Sequence, residues 1–184
     1  LDVEVAPSSV FINSKEWQVM PSNINILGRA IAVNSFGLVS GDEAITLNGR
    51  TSETQNDTLT LGLQRFDISL INSVIPEIGI KGAITGTANL TSAFQRKGVN
   101  VEMICDSTYL AGMPLGVLTL GSRWNEDFER FDITVRNEMS GQSNINAYGK
   151  FTPRTSSLEA TATLNRLHVG YAEPFLKEIF SNLG

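Results

Sequence analysis

Leu59-Thr60-Leu61-Gly62-Leu63-Gln64-Arg65-Phe66-Asp67-Ile68-Ser69-Leu70-Ile71 is the stretch that decides the fold. Its first half alternates apolar residues with polar or small ones, the period of a strand with one dry face and one wet face. After Arg65 the alternation gives way to a short apolar segment. The same grammar returns in Leu158-Glu159-Ala160-Thr161-Ala162-Thr163-Leu164-Asn165-Arg166-Leu167-His168-Val169, an alternating strand, an arginine and an apolar segment that runs on to Phe180. The offset of about a hundred residues exceeds the roughly 20 to 50 of solenoid repeats, so each unit reads as a small multi-stranded sheet. Trp17 and Trp124 precede the two regions at a similar offset. Two β units are expected, 1–76 and 77–184, joined into one continuous elongated domain of repeat type.

Outside this stretch period-two alternation dominates. Ile24 and Ile26, Ile31 and Val33, and Ile45 and Leu47 each sit two apart, and the pattern is strong in Val99 to Cys105 and Phe131 to Arg136. Turn signals separate the runs at Ser40 to Glu43, Ser52 to Asp57, Arg96 to Gly98, Trp124 to Asp127 and Thr152 to Ser157. Strands joined by such short turns are antiparallel neighbours, which predicts a mainly β chain built as a meander. Two segments depart from it. Leu70, Ile71, Val74 and Ile75 recur at helical spacing between Asp67 and Pro76, and Phe175, Leu176, Ile179 and Phe180 do so within Tyr171 to Phe180, with Pro174 suited to a first turn. Each predicts a short helix that closes one unit.

Composition narrows the function. The chain has 184 residues, 19 acidic against 14 basic, and a net charge of −5 with no basic run, which argues against a nucleic-acid partner. A single cysteine, Cys105, excludes an internal disulfide framework. No stretch approaches the roughly 20 apolar residues needed to cross a bilayer as a helix. Leu1-Asp2-Val3 carries neither an initiator methionine nor a signal-peptide pattern, so the expectation is an interior slice of a longer chain ending at a repeat boundary.

The residue types that carry catalysis are sparse. His168 is the only histidine, which leaves no pair for a metal site and one candidate base beside a strand end. Cys105 continues the apolar phase of Val99, Val101 and Met103, the position of a core thiol. The Glu126-Asp127-Glu129 cluster and Asp42-Glu43 fall in predicted turns, where carboxylates solvate a loop. Gly82 and Gly86, like Gly112 and Gly116, lie in strand-like sequence, where glycine marks a bend or bulge. A glycan-acting enzyme would need paired carboxylates about 5 to 10 Å apart on a strand face, and no such pair is legible. No catalytic residue, metal ligand or cofactor is assigned.

What remains is an apolar face held in phase over successive strands. Leu59, Leu61 and Leu63 lie on it, followed by Val99, Val101 and Met103, then Leu118 and Leu120, Phe131, Ile133 and Val135, Ile145, and finally Leu158 and Leu164. Such a face must meet itself. Sequence leaves two outcomes open. It can close into a sandwich or barrel, as in a structural spacer repeat of an adhesin or stalk, or curl into a trough whose interior takes an apolar ligand.

Several motifs carry a resemblance. Trp-x-Val-x-Pro at Trp17 to Pro21, Gly49-Arg50-Thr51-Ser52, the Leu59 to Ile71 run, Gly82-Ala83-Ile84-Thr85-Gly86-Thr87-Ala88-Asn89-Leu90, and Leu-Asn-Arg-Leu-His-Val followed by Glu-Pro-Phe-Leu between Leu164 and Leu176 resemble the TamB branch of the AsmA-like superfamily. Members are very large, inner-membrane-anchored translocation and assembly module proteins that project through the Gram-negative periplasm. The resemblance implies a β-sheet curled into an elongated taco-like groove (or open sandwich) with an apolar interior. It implies phospholipid transport between membranes, outer-membrane protein assembly and secretion, or both, without catalysis. Implied partners are phospholipid or another apolar ligand, neighbouring repeats of the same chain, and an outer-membrane assembly barrel reached through regions not present in this sequence. The apolar residues named above would line the groove as lipid-binding positions. Exposed sheet edges further suggest edge-to-edge dimers of the chain.

Overall fold

The computed structural model describes residues 1–12, 14–52, 57–73, 79–91, 98–110 and 112–165. Among them thirteen strands form one antiparallel sheet: β1 (Asp2–Val5), β2 (Ser8–Ile12), β3 (Lys15–Val19), β4 (Ser22–Leu27), β5 (Ala30–Ser40), β6 (Glu43–Thr51), β7 (Thr58–Asp67), β8 (Ile80–Thr91), β9 (Gly98–Leu110), β10 (Met113–Asn125), β11 (Arg130–Glu138), β12 (Ile145–Thr152) and β13 (Ser157–Leu164). From β4 to β13 each strand pairs with the next in sequence, as in a meander. Gly28-Arg29 between Leu27 and Ala30 and Gly41-Asp42 between Ser40 and Glu43 are two-residue turns, with Gly28 at a φ of 60° and Gly41 at 63°. The sheet is not closed: β13 has a neighbour on one side only among the described residues.

The first four strands look like a crossover and are not one. β1 pairs with β4 and β2 with β3, so β1–β2 and β3–β4 are two long strands, each interrupted once. The interruptions face each other. Val5 opposes Ser22 and Ser8 opposes Val19, which places Ala6-Pro7 across from Met20-Pro21. Neither proline has an N–H to give the ladder, so both strands break at one level and β5 receives β3 and β4 in succession along one edge.

Bulges bend the sheet, three of them in β5, β7 and β9. In β5 the register shifts between Val33 and Phe36, with Ser35 at a φ of 57° and its N–H donating to Asn48 Oδ1 at 3.2 Å. In β7 it shifts between Leu63 and Phe66, with Arg65 at 47° and its N–H donating to Thr85 Oγ1 at 3.0 Å. In β9 Ser107 takes a φ of 51° where β8 and β9 shift, and the Thr108 hydroxyl donates to the Cys105 carbonyl at 3.1 Å. Each extra residue increases local twist and curvature. Glycine supplies the complementary close approach: a Cβ at Gly49 or Gly116 would lie 2.2 Å from the Thr58 or Glu138 carbonyl oxygen of the next strand.

The curl is measurable. Trp17 on β3 and Phe66 on β7 are three strand spacings apart, about 14 Å on a flat sheet. Their ring centroids are 6.1 Å apart. The sheet therefore wraps round its apolar face at this end, where Trp17, Val19, Val33 and Ile68 are buried.

The predicted helices need correction. Between Asp67 and Ile75 the chain forms a six-residue 3-10 helix, Ile68–Ser73, and no α-helix occurs among the described residues. Asp67 Oδ1 accepts the Ser69 N–H at 2.8 Å and starts the turn. Asn72 ends it by acting as a mock strand neighbour to Ile80, donating to its carbonyl at 2.7 Å and accepting its N–H at 2.9 Å. That clamp ties the end of the 3-10 helix to the first residue of β8. The second expected helix, Tyr171 to Phe180, lies outside the described residues, as does His168. The expected boundary at 76 and 77 falls between β7 and β8, which pair directly, so the sheet runs through it unbroken. The expected turn at Trp124 begins later, because Trp124 and Asn125 are the last residues of β10.

Candidate functional site

Register places the apolar candidates in rows that cross the sheet. One row runs Leu47, Leu61, Ala88, Val101, Ser122, Ile133, Gly149 and Ala160. Beside it lie Ile45, Leu63, Gly86, Met103, Leu120, Val135, Ala147 and Ala162. Leu59, Leu90 and Val99 share a third level with Trp124, Phe131, Phe151 and Leu158. Phe66, Ile84, Cys105 and Leu118 make a fourth, and Ile145 pairs with Leu164 at its far end. All fourteen sequence-derived positions share one face, because neighbours in register point the same way.

That face is only partly covered. From Leu59 to Ile145 those positions are half-buried, while Leu158 and Leu164 at the edge are 64% and 59% exposed. The buried hydrophobic residues among those described are Trp17, Val19, Val33, Ile68, Cys105 and Leu115. The principal tertiary contacts join hydrogen-bonded neighbouring strands, plus the 3-10 helix against β8. No second layer packs on the sheet among the described residues. At one end the face carries an aromatic strip, with Trp124 edge-on to Phe131 at 4.9 Å and Phe131 stacked on Phe151 at 6.5 Å.

Two polar features on this face escaped the sequence reading. Asn137 continues the phase of Val135, is buried, and donates to the Leu115 carbonyl at 3.0 Å while accepting from Asn144 N at 2.9 Å and Ile145 N at 2.6 Å. An asparagine in an apolar phase was the available signal. Trp17, at 1% exposure, has an indole N–H without a hydrogen-bond partner among the described residues. Cys105 sits as expected of a core thiol: burial pushes its pKa up and keeps it protonated, while a hydrogen bond with Thr108 opposes the shift.

The opposite face is polar, with Thr60 donating to Asn89 Oδ1 at 2.7 Å and Thr58 beside Thr91 at 3.3 Å. A depression of about 790 Å³ opens on it over β9 to β12, lined by Asn100, Glu102, Arg123, Asp132, Thr134 and Tyr148 among others. It brings Glu102 and Asp132 to one hollow, a grouping the sequence did not reveal. Asp132 is a structural anion there. Asn125 donates to it at 2.9 Å, followed in effect by Arg130 at 2.9 Å and Tyr148 at 3.0 Å, and together they hold its carboxyl below the usual range against partial desolvation. Among the described residues no group of three His, Cys, Asp or Glu could hold a metal ion, and no helix is long and apolar enough to cross a membrane.

Comparison with known proteins returns no matching family model, curated protein or solved structure.

Proposed function

We propose that this chain is a non-enzymatic, periplasmic groove segment of an inner-membrane-anchored envelope protein of the TamB-like kind, and that its apolar face carries phospholipid acyl chains between membranes. The observation that carries this reading is the apolar face shared by β5 to β13, with few polar breaks such as Ser122 and Asn137, curled toward itself at Trp17 and Phe66 yet largely half-exposed. A soluble sheet rarely leaves such a surface uncovered without a ligand for it. Each methylene moved from water onto the face contributes about 0.8 kcal/mol, so two acyl chains need no charged clamp. The same surface suits apolar strands of outer-membrane proteins in assembly or secretion, with the outer-membrane barrel engaged by other parts of the longer protein.

Native mass spectrometry of detergent-free protein, followed by extraction, tests this. Co-purified phospholipid or fatty acid is expected on the parent and lost in Met103→Glu and Ile133→Glu, both half-buried positions that a carboxylate can occupy without unfolding the sheet. Thr119→Glu, exposed on the polar face, should retain the lipid. A clean apo mass together with refusal of a fluorescent phospholipid would sink the lipid reading and favour the spacer repeat.

A further inference from the structure

We propose that β13 is a self-complementary edge through which two copies of this chain join their sheets about a two-fold axis, a reading that goes beyond lipid carriage and does not depend on it. All eight residues of β13 are exposed, and the strand pairs with β12 without a register shift. It is lightly guarded: Ser157-Leu158-Glu159-Ala160-Thr161-Ala162-Thr163-Leu164 holds no proline, lysine or bulge, and its one charge is Glu159. The opposite edge is guarded, since Pro7 breaks it between β1 and β2.

The hydrogen-bonding parity of β13 is fixed by one contact. The Asn165 N–H donates to the Asn144 carbonyl at 2.8 Å, so the odd-numbered residues of the strand turn their backbone groups toward β12. The N–H and C=O groups of Leu158, Ala160, Ala162 and Leu164 therefore point outward. The sequence is nearly palindromic about Thr161, with leucine, alanine, alanine and leucine at matched distances. A second copy laid antiparallel with Thr161 on the axis sets Leu158 against Leu164 and Ala160 against Ala162. Each of those is a hydrogen-bonded pair, because both members present outward groups. The apolar faces of the two sheets then fall on the same side and run together.

Charge agrees with this register. Glu159 meets Thr163 of the other copy, away from the second Glu159, so no like charges oppose each other. Isologous pairing is the arrangement a palindromic edge permits, since each residue meets its mirror position. Thr161 meets itself in a non-hydrogen-bonded pair, where Cα atoms lie about 4.5 Å apart, within the roughly 4.4 to 6.8 Å that a disulfide spans.

Cysteine crosslinking of the full chain gives the test. Thr161→Cys should form a covalent dimer under mild oxidation, whereas Thr163→Cys, two residues off the axis, should remain monomeric on a denaturing gel. Ala160→Pro removes an outward N–H without touching the ladder to β12, so it should keep the β circular dichroism and raise the dimer dissociation constant on the order of tenfold or more by sedimentation. A chain that sediments as a monomer across the concentration series, a Thr163→Cys crosslink equal to that of Thr161→Cys, or a dimer indifferent to Ala160→Pro would each overturn the proposal.

Discussion

Gly116 shows how a single residue can set the shape of the sheet. Its φ of 78° is one that residues with a Cβ avoid, and the added carbon of an alanine would lie 2.2 Å from the Glu138 carbonyl oxygen, a backbone atom that cannot swing away. Gly116→Ala must then strain its own backbone and push β11 off β10. Destabilisation of more than about 1 kcal/mol is expected, read as a lower denaturant midpoint at unchanged slope. Gly112, with a φ of 81° and nothing within 4 Å of its missing Cβ, is the control: alanine there meets the backbone penalty alone and should cost less. The sequence groups the two glycines alike as bends in strand-like sequence, and the structure gives them different work, one a turn and the other a close approach between strands.

At the scale of elements, what the sequence made legible was the side-chain period. Leu59, Leu61 and Leu63, or Phe131, Ile133 and Val135, state their common face through alternation alone, and short turns then leave a meander as the only economical topology. Bulges were hidden because Ser35, Arg65 and Ser107 are ordinary polar residues whose left-handed backbone is imposed by neighbours, as when Thr85 accepts the Arg65 N–H. The helix expected after Asp67 failed for a similar reason. Local apolar spacing favoured it, but Asn72 binds both backbone groups of Ile80, a tertiary contact no spacing encodes. Phe36 and Leu38 share a face with Ile31 and Val33 only because the β5 bulge shifts the phase between them.

Asp132 belongs to the same scale, since it links three strands through Asn125 on β10, Arg130 on its own strand and Tyr148 on β12. Its folded pKa is lowered, first by the Asn125 hydrogen bond, so its contribution is present in full above the unfolded carboxylate value of about 3.9. That contribution disappears as pH falls through the lowered folded value. Asp42, held down by Arg65, acts in the same direction. Stability should therefore fall below about pH 4, and Asp132→Asn should flatten that part of the profile while leaving the behaviour between pH 6 and pH 8 level. An unchanged acid limb in the variant would show that the hydrogen bonds to Asp132 do not hold the strands.

The whole molecule joins rigid local order to an uncovered interior. Trp17 is packed against Phe66 and Trp124 against Phe131, so both tryptophans sit in fixed aromatic surroundings. Yet Leu61, Met103, Leu120, Ile133 and Val135 on the same face remain half-exposed, with only neighbouring strands for company. A collapsed, fluctuating state would expose apolar surface and lose its aromatic circular dichroism together. This sheet should separate the two. The native protein is expected to enhance and blue-shift ANS fluorescence while keeping a strong near-ultraviolet dichroism signal, and added phospholipid should displace the dye in proportion to its own uptake. Ile133→Glu, placed in the middle of the rows, should reduce dye binding several-fold with the dichroism unchanged. Dye binding that appears only when the aromatic signal is lost would mean that the face is closed in the folded chain, and the groove would then be a core.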